Sequence, residues 1–464
     1  MAVFHIVSHK LRHFPGFGQQ VFHEISYICP KMKKILTAGL AALALLAAPE
    51  ARAQKDNCFT AQIDHLSRGE IRHGGLPAGE EDTDVPPAAF VLGRTRLGFT
   101  YEGTGLTAKI GLQQGGVWGS TGFGGLQISE AWAGWKGEKG LFFKAGRQNL
   151  IYDDQRIFGN DDWAMTAISH DALRIGVERP TRKAHLILAY NQNPENMAGG
   201  SFYSGGIQPY KVMEAFWYHL DLPGTALGAS LLLTNITMQD GEKGENEINR
   251  HQQLFGTYLS FKPKTWSAEA SAYWQRGENE HGIPIQAWMS SIKSTVTLSE
   301  AFSLSAGYDY LSGDENFATP SGGMIGVTHH DTIRGFNSLY GSRHNFYGAM
   351  DFFYVSTYFN GFTPGLQNLY AGAKWAPAKG LDLDASYHFL ATAAKLRNAD
   401  KPLGHELELA VGYALGKDVR LSAGYSFMYG TKTMEVLKRS TDRHRLHWGW
   451  VMLIISPSAF SARW

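Results

Sequence analysis

Cysteine is almost absent from this chain of 464 residues, with Cys29 and Cys58 the only two. That excludes a disulfide framework and any multi-cysteine zinc or iron–sulfur site. Long apolar runs are equally scarce. The longest is Ile35–Ala48, and without repeated stretches of about 18 apolar residues a helical-bundle membrane protein is excluded. No sign of charge prevails, since 43 Lys and Arg face 42 Asp and Glu, so there is no global basic field to hold nucleic acid. Charged residues make up only 18%, below the roughly one quarter usual in soluble domains. Abundant instead are glycine, at 53 positions, and Phe, Tyr and Trp at 26, 20 and 12. Glycines and aromatics together in such numbers are a feature of membrane β-barrels.

The run Ile35–Ala48 is short for a transmembrane helix and right for a signal-peptide core. Lys33 and Lys34 precede it, and Ala51-Arg52-Ala53 follows as an A-x-A cleavage site, so the mature protein is expected to begin at Gln54. Residues 32–53 are then the signal peptide, and residues 1–31 read as an extension ahead of a start at Met32. No lipobox precedes Cys58, where Lys55-Asp56-Asn57 stands, so lipidation is not expected. Loss of residues 1–53 removes Lys10, Arg12, Lys31, Lys33, Lys34 and Arg52 against Glu24 and Glu50. The remainder is slightly acidic, and any charge selectivity must come from local arrangement.

Residues 54–89 read as a lead-in, and from Phe90 to the end the chain settles into short alternating segments. Leu381, Leu383, Ala385, Tyr387 and Phe389 alternate with Asp382, Asp384, Ser386 and His388. Leu407, Leu409, Val411 and Tyr413 do so against Glu406, Glu408, Ala410 and Gly412, and Leu421, Ala423, Tyr425 and Phe427 against Arg420, Ser422, Gly424 and Ser426. A period of two places each set on one face of a strand. In a soluble sandwich the apolar face would be a core. In an outer-membrane barrel it meets lipid, its aromatics lie at the interface, and the charged face lines the lumen. The export signal, segments of about ten residues and their repetition to the C-terminus favour the barrel. The fold expected is therefore all-β, a transmembrane antiparallel barrel of 18 strands, with 16 the alternative, over residues 90–464.

Leu141–Leu150 and Lys211–Leu220 alternate poorly and are candidates for bulges. Short connections at 102–105, 136–140, 222–224, 377–380 and 415–418 read as periplasmic turns. Asn191–Tyr210, Gln239–His251, Gly313–Asn345 and Ala391–Gly404 read as outer loops or a constriction. The chain closes on an aromatic-rich segment ending at Phe460 and Trp464, the kind of terminus that barrel insertion machinery reads.

Two segments break the alternation: Gly146–Trp163, reading GRQNLIYDDQRIFGNDDW, and Leu339–Phe353, reading LYGSRHNFYGAMDFF. Their charges suit a lumen or an inward-folded loop, where a salt-bridged lining is the simplest role. A calcium site at Asp153/Asp154 and Asp161/Asp162 would need several converging carboxylates, and the spacing is not that of an EF-hand. Ser169-His170-Asp171 imitates a catalytic triad, but consecutive residues do not hold triad geometry. The glycine pairs lack the Lys and Ser/Thr of a P-loop. No cofactor or metal is expected, and no enzyme.

These two segments resemble signature stretches of the alginate export family of outer-membrane proteins, and the resemblance runs from about Ser67 to Pro457. It implies a monomeric 18-stranded barrel in the bacterial outer membrane whose Arg- and Lys-lined lumen passes an anionic polyuronate. Arg147, Arg156 and Arg343 are the motif arginines on this reading, with Asp153, Asp154 and Asp351 beside them. Inward strand parity adds Arg94, Arg96, Lys109 and Arg174 to the solute-binding lining. Expected partners are an anionic polysaccharide or small solute, outer-membrane lipid, the insertion machinery and a periplasmic export component. The rival readings are a general diffusion porin and, from another class, an outer-membrane hydrolase.

Overall fold

The computed structural model describes residues 57–73, 87–120, 125–191, 208–242, 245–315, 317–318, 326–327, 331–353, 363–396, 399–438 and 446–464. The extension and the signal peptide lie outside the described residues. Eighteen antiparallel strands form one closed barrel. They are β1 (Cys58–His73), β2 (Ala88–Glu102), β3 (Leu106–Val117), β4 (Gln127–Lys136), β5 (Leu141–Gln148), β6 (His170–Arg179), β7 (Arg182–Tyr190), β8 (Val212–Asp221) and β9 (Leu227–Glu242). There follow β10 (Glu245–Phe261), β11 (Trp266–Glu278), β12 (Pro284–Ser299), β13 (Phe302–Leu311), β14 (Leu366–Ala378), β15 (Leu381–Ala391), β16 (Pro402–Ala414) and β17 (Val419–Gly430). The last, β18, runs as Leu446–Ile455 and resumes as Ser458–Arg463. Pro457, which has no N–H for the ladder, sits in the break, and its carbonyl accepts from Ile63 N–H at 3.2 Å.

Each strand pairs with the next, and β1 pairs with both β2 and β18. Closure of this kind removes the edges that an open sheet exposes. It begins earlier than residue 90, because the supposed lead-in supplies β1. That strand escaped the alternation test because its outward positions include His65, Ser67 and Gly69 while its inward positions carry Arg68, Glu70 and Arg72. Two other expectations are corrected. Leu141–Gln148 is regular, with no register shift against either neighbour. Most of Gln239–His251 belongs to the β9–β10 hairpin rather than to a loop.

The five expected short turns all join strands at one end, taken as periplasmic because short turns face that side in such barrels. Apolar side chains such as Leu97, Phe99, Ile110, Leu409 and Leu421 are exposed on the outer wall, as lipid contact requires. The inward rows of the strands after β7 change character along their length. Toward the long-loop end they carry Met213, Ile236, Leu254, Ile285, Leu311, Leu366 and Leu390, all buried in one apolar cluster. Toward the short-turn end they carry His219, Glu269, Lys293, Lys374, Asp382 and Asp384. The lumen is therefore not lined uniformly by polar groups. Its outer half holds a core, and two chain segments are packed into that core.

Candidate functional site

Residues 149–169, between β5 and β6, and residues 331–353, between β13 and β14, fold inward as two loops. The first reaches inward side chains of β1, β2, β8 and β13. Trp163 O accepts from Arg68 at 3.1 Å, Asp162 O from Arg94 at 2.7 Å, and Asp153 from Trp217 Nε1 at 3.1 Å. Arg156 crosses to Asp309 at 2.8 Å. The second reaches β11 and β16, where Asn337 N–H donates to Gln275 at 3.0 Å, Met350 N–H to Glu406 at 2.7 Å, and Ala349 N–H to Glu408 at 2.6 Å. Gly348 is obligatory at this contact: its φ is +94°, and a Cβ there would collide with the Glu406 carboxylate.

The loops also zip to each other. Gly159 N–H donates to Tyr340 O at 2.9 Å, Tyr340 N–H to Ile157 O at 3.0 Å, and Ser342 N–H to Gln155 O at 2.9 Å. Ser342 Oγ accepts from Asp161 N–H at 2.9 Å, and the Phe158 and Tyr340 rings stack with centroids 5.8 Å apart. The two unusual sequence segments are thus two sides of one seam. Every non-glycine residue with positive φ among the described residues lies in these loops: Asp153, Gln155, Asp161, Leu339, Tyr347 and Asp351. Backbone strain of this kind persists where the surroundings over-determine it, commonly at functional sites.

Arg156 is the bolt of the assembly, only 4% exposed. Its Nε donates to Asp154 and its Nη2 to Asp309, each at 2.8 Å, its Nη1 to the Tyr347 hydroxyl at 3.1 Å, and Phe346 covers its face at 4.1 Å. Burial works against the charge, but Asp309, Tyr347 and Asp154 outweigh it and keep the guanidinium protonated. Burial likewise raises the Asp153 and Asp154 carboxyls above the ordinary aspartate range, Arg156 pulling Asp154 back down. The neighbouring Trp163 ring stacks on His344 at 4.2 Å, lies under Arg68 at 3.9 Å, and meets Trp448 and Trp450 edge-on.

The opposite wall, β1 to β6, is basic. Arg68, Arg72, Arg94, Arg96, Lys109, Lys144 and Arg174 alternate inward on five of its six strands. Most have a counter-charge. Glu70 binds Arg68 and Arg72, each at 2.8 Å, Asp162 binds Arg94 and Arg96, and Glu130 binds Lys109. Lys144 and Arg174 have none among the described residues. They stand directly opposite each other on β5 and β6, Lys144 Nζ over the Trp132 ring at 3.5 Å and Arg174 over Phe142 at 5.4 Å. Arg174 Nε is buried and has no acceptor among the described residues. Like charges facing each other across a sheet are destabilising, so this pair is a structural cost that stability alone does not explain.

Of the ten site residues expected from sequence, the structure brings Arg94, Arg96, Lys109 and Arg174 to the basic wall and Asp153, Asp154 and Arg156 to the first loop. Arg343 and Asp351 belong to the second loop, where Arg343 donates to Leu339 O at 2.9 Å and Asp351 accepts from His344 at 2.8 Å. Arg147 does not enter the lumen. In the regular strand β5 it is Gln148 that points inward, while Arg147 shares the outward face with Leu141 and Phe143 and is held by Asp171 through two bonds of 2.9 Å. That places His170 inward, against the Tyr210 hydroxyl at 3.0 Å, and Asp171 outward, so Ser169-His170-Asp171 is not a triad. No three His, Cys, Asp or Glu side chains cluster as metal ligands among the described residues. Sequence reading missed Arg68, Arg72, Lys144, Asp309 and Tyr347, although inward parity marks all but Tyr347.

The barrel is similar to solved outer-membrane porins. It superposes on OccAB4 of Acinetobacter baumannii with a TM-score of 0.58 at 10% identity, covering 88% of this chain and 99% of that one. OccK9 (OpdG) of Pseudomonas aeruginosa gives 0.55 at 14% identity, with 86% and 98% covered. OccK2 (OpdF) of the same organism, solved in complex with glucuronate, gives 0.56 at 14% identity, with 87% and 98% covered. No curated protein sequence matches the chain. The sequence model described as alginate export matches residues 122–428, a span holding both inward loops. With that match and a closed barrel of this architecture, the chain belongs to the alginate export family and is a channel of the bacterial outer membrane.

Proposed function

We propose that this channel selects small anionic solutes, with sugar acids and short oligouronates as the favoured class, and that Lys144 and Arg174 form the selecting step. The carrying observation is that these two inward cations face each other with no carboxylate in ion-pair contact, whereas Arg68, Arg72, Arg94, Arg96 and Lys109 on the same basic wall each have one. A guanidinium offers carboxylate a planar bidentate fork, and both charges lie where screening by salt is weaker than at an open surface. The paired arginines nearby offer sites weak enough for release, which conduction requires. Filling of the outer half by the two loops favours single sugars or short chains over a wide conduit. Such passage needs no nucleophile, base or cofactor, so the channel is a passive conduit and not an enzyme. OccK2, a barrel of similar architecture, is solved in complex with glucuronate, which supports this reading.

Planar-bilayer recording tests the proposal. In a salt gradient the reversal potential should show anion preference that weakens as salt rises, and oligouronates should block transiently where neutral oligosaccharides of equal length do not. Lys144→Glu and Arg174→Glu should each reduce preference and block. A wild-type pore that prefers cations and ignores oligouronates would leave the general porin standing. The export signal belongs to the same proposal, and protein isolated from outer membranes should give an N-terminal sequence starting at Gln54.

A further inference from the structure

Across the lumen from the basic wall lies a cavity of about 350 Å³, enclosed by β10–β15 and by both inward loops. The anion proposal makes no use of it. Its charges are mostly spent within the protein. Arg156 bridges Asp154 and Asp309, and Asp309 further accepts from Ser291 at 2.7 Å and Asn368 at 2.9 Å. Glu269 takes Lys262 at 3.0 Å and the Tyr258 hydroxyl at 2.8 Å.

Three lining groups are left over. Asp153 accepts from the Trp217 indole but has no Lys or Arg partner among the described residues. Lys293 stands in register with Glu269, whose direct ion pair of 3.0 Å is with Lys262, and Lys293 itself makes no ion pair among the described residues. Ser271, 5% exposed and inward between Glu269 and Tyr273, has a buried hydroxyl with no partner among the described residues. A negative group, a positive group and an orphaned hydroxyl thus line one cavity whose lining also includes the rings of Tyr258, Phe346 and Tyr370 and the polar groups of Asn368 and His388. A buried hydroxyl without a partner costs free energy that an incoming ligand recovers.

We infer that this cavity is a second solute site, for a small zwitterion that sets its ammonium group at Asp153 and its carboxylate at Lys293. A simple anion satisfies only Lys293, and a simple cation only Asp153. A zwitterion satisfies both, its polar backbone reaches Ser271, and its side chain packs on the rings. The preference differs from that on the opposite wall, where a simple anion is enough for the Lys144 and Arg174 pair.

The test uses the full-length channel in planar bilayers with three related probes: glutamine, N-acetylglutamine (an anion) and glutamine methyl ester (a cation). Current block by glutamine should exceed block by either derivative. Asp153→Asn should weaken glutamine and ester block and spare N-acetylglutamine. Lys293→Gln should weaken glutamine and N-acetylglutamine block and spare the ester. Each loss should be on the order of tenfold, the scale of one charge-assisted hydrogen bond. Both variants must keep the heat-dependent gel shift of a folded barrel, and Ser271→Ala, a smaller change, should weaken glutamine block without altering the charge pattern. Block by glutamine no stronger than by both derivatives, or insensitive to Asp153 and Lys293, overturns the inference. Anion preference lost with Lys144 or Arg174 while glutamine block persists would separate this site from the basic wall, and the converse result would leave only the anion proposal.

Discussion

Arg156 shows how one side chain can carry more of the architecture than its motif suggests. It is the counter-charge for buried Asp309 and half-buried Asp154, so Arg156→Met leaves both unpaired at a cost of about 3–5 kcal/mol. Thermal unfolding of the detergent-solubilised barrel should fall accordingly, and single-channel conductance should rise as the first loop detaches. Adding Asp309→Asn to Arg156→Met should recover part of the stability, because the more deeply buried of the two orphaned charges is then gone. Arg156→Lys should recover less, since one ammonium lacks the fork that spans two partners. The sequence marked Arg156 by its setting among glycines and aspartates, but Asp309 was visible only as one polar residue of an alternating strand. Nothing local joins residues so far apart. Arg147 failed for a different reason. The poor alternation of its strand left parity unreadable, and the neighbouring motif charges drew it into the lumen.

At the level of elements, strands such as β15 and β17 were legible because lipid outside and water inside impose a strict period of two. The wall β1 was not, for its outward face is mild and its inward face bears four charges, Asp64, Arg68, Glu70 and Arg72. The two loops were recognisable as exceptions, whereas the seam between them was not, being made mostly of backbone hydrogen bonds that no side-chain pattern encodes. Gly341 gives access to that seam. A Cβ there would collide with the Arg156 carbonyl oxygen, so Gly341→Ala should wedge the loops apart while the barrel remains closed. The expected signature is a larger, noisier conductance with an unchanged β-type circular dichroism spectrum. An unchanged conductance would mean that the seam does not limit the pore.

For the molecule as a whole, closure depends on β18. Asn57 and Trp464 exchange two backbone hydrogen bonds of 2.9 and 3.0 Å, and Ser458–Arg463 covers the first residues of β1. Deleting residues 458–464 should leave that stretch of β1 as an open edge in lipid, where each unpaired backbone group costs several kcal/mol. The heat-dependent gel shift should then be lost. The seam between the loops bears also on how the channel comes into being. Phe158 and Tyr340 are separated by the chain of β6 to β13, and contacts between remote segments form late because the intervening loop must first be closed. The first loop can meet β1, β2 and β8 earlier, but the second loop that completes its seam follows only after β13 is in place. The pore begins wide and narrows last, so an assembly stalled before the second loop docks is a leak in the membrane rather than an inert fragment.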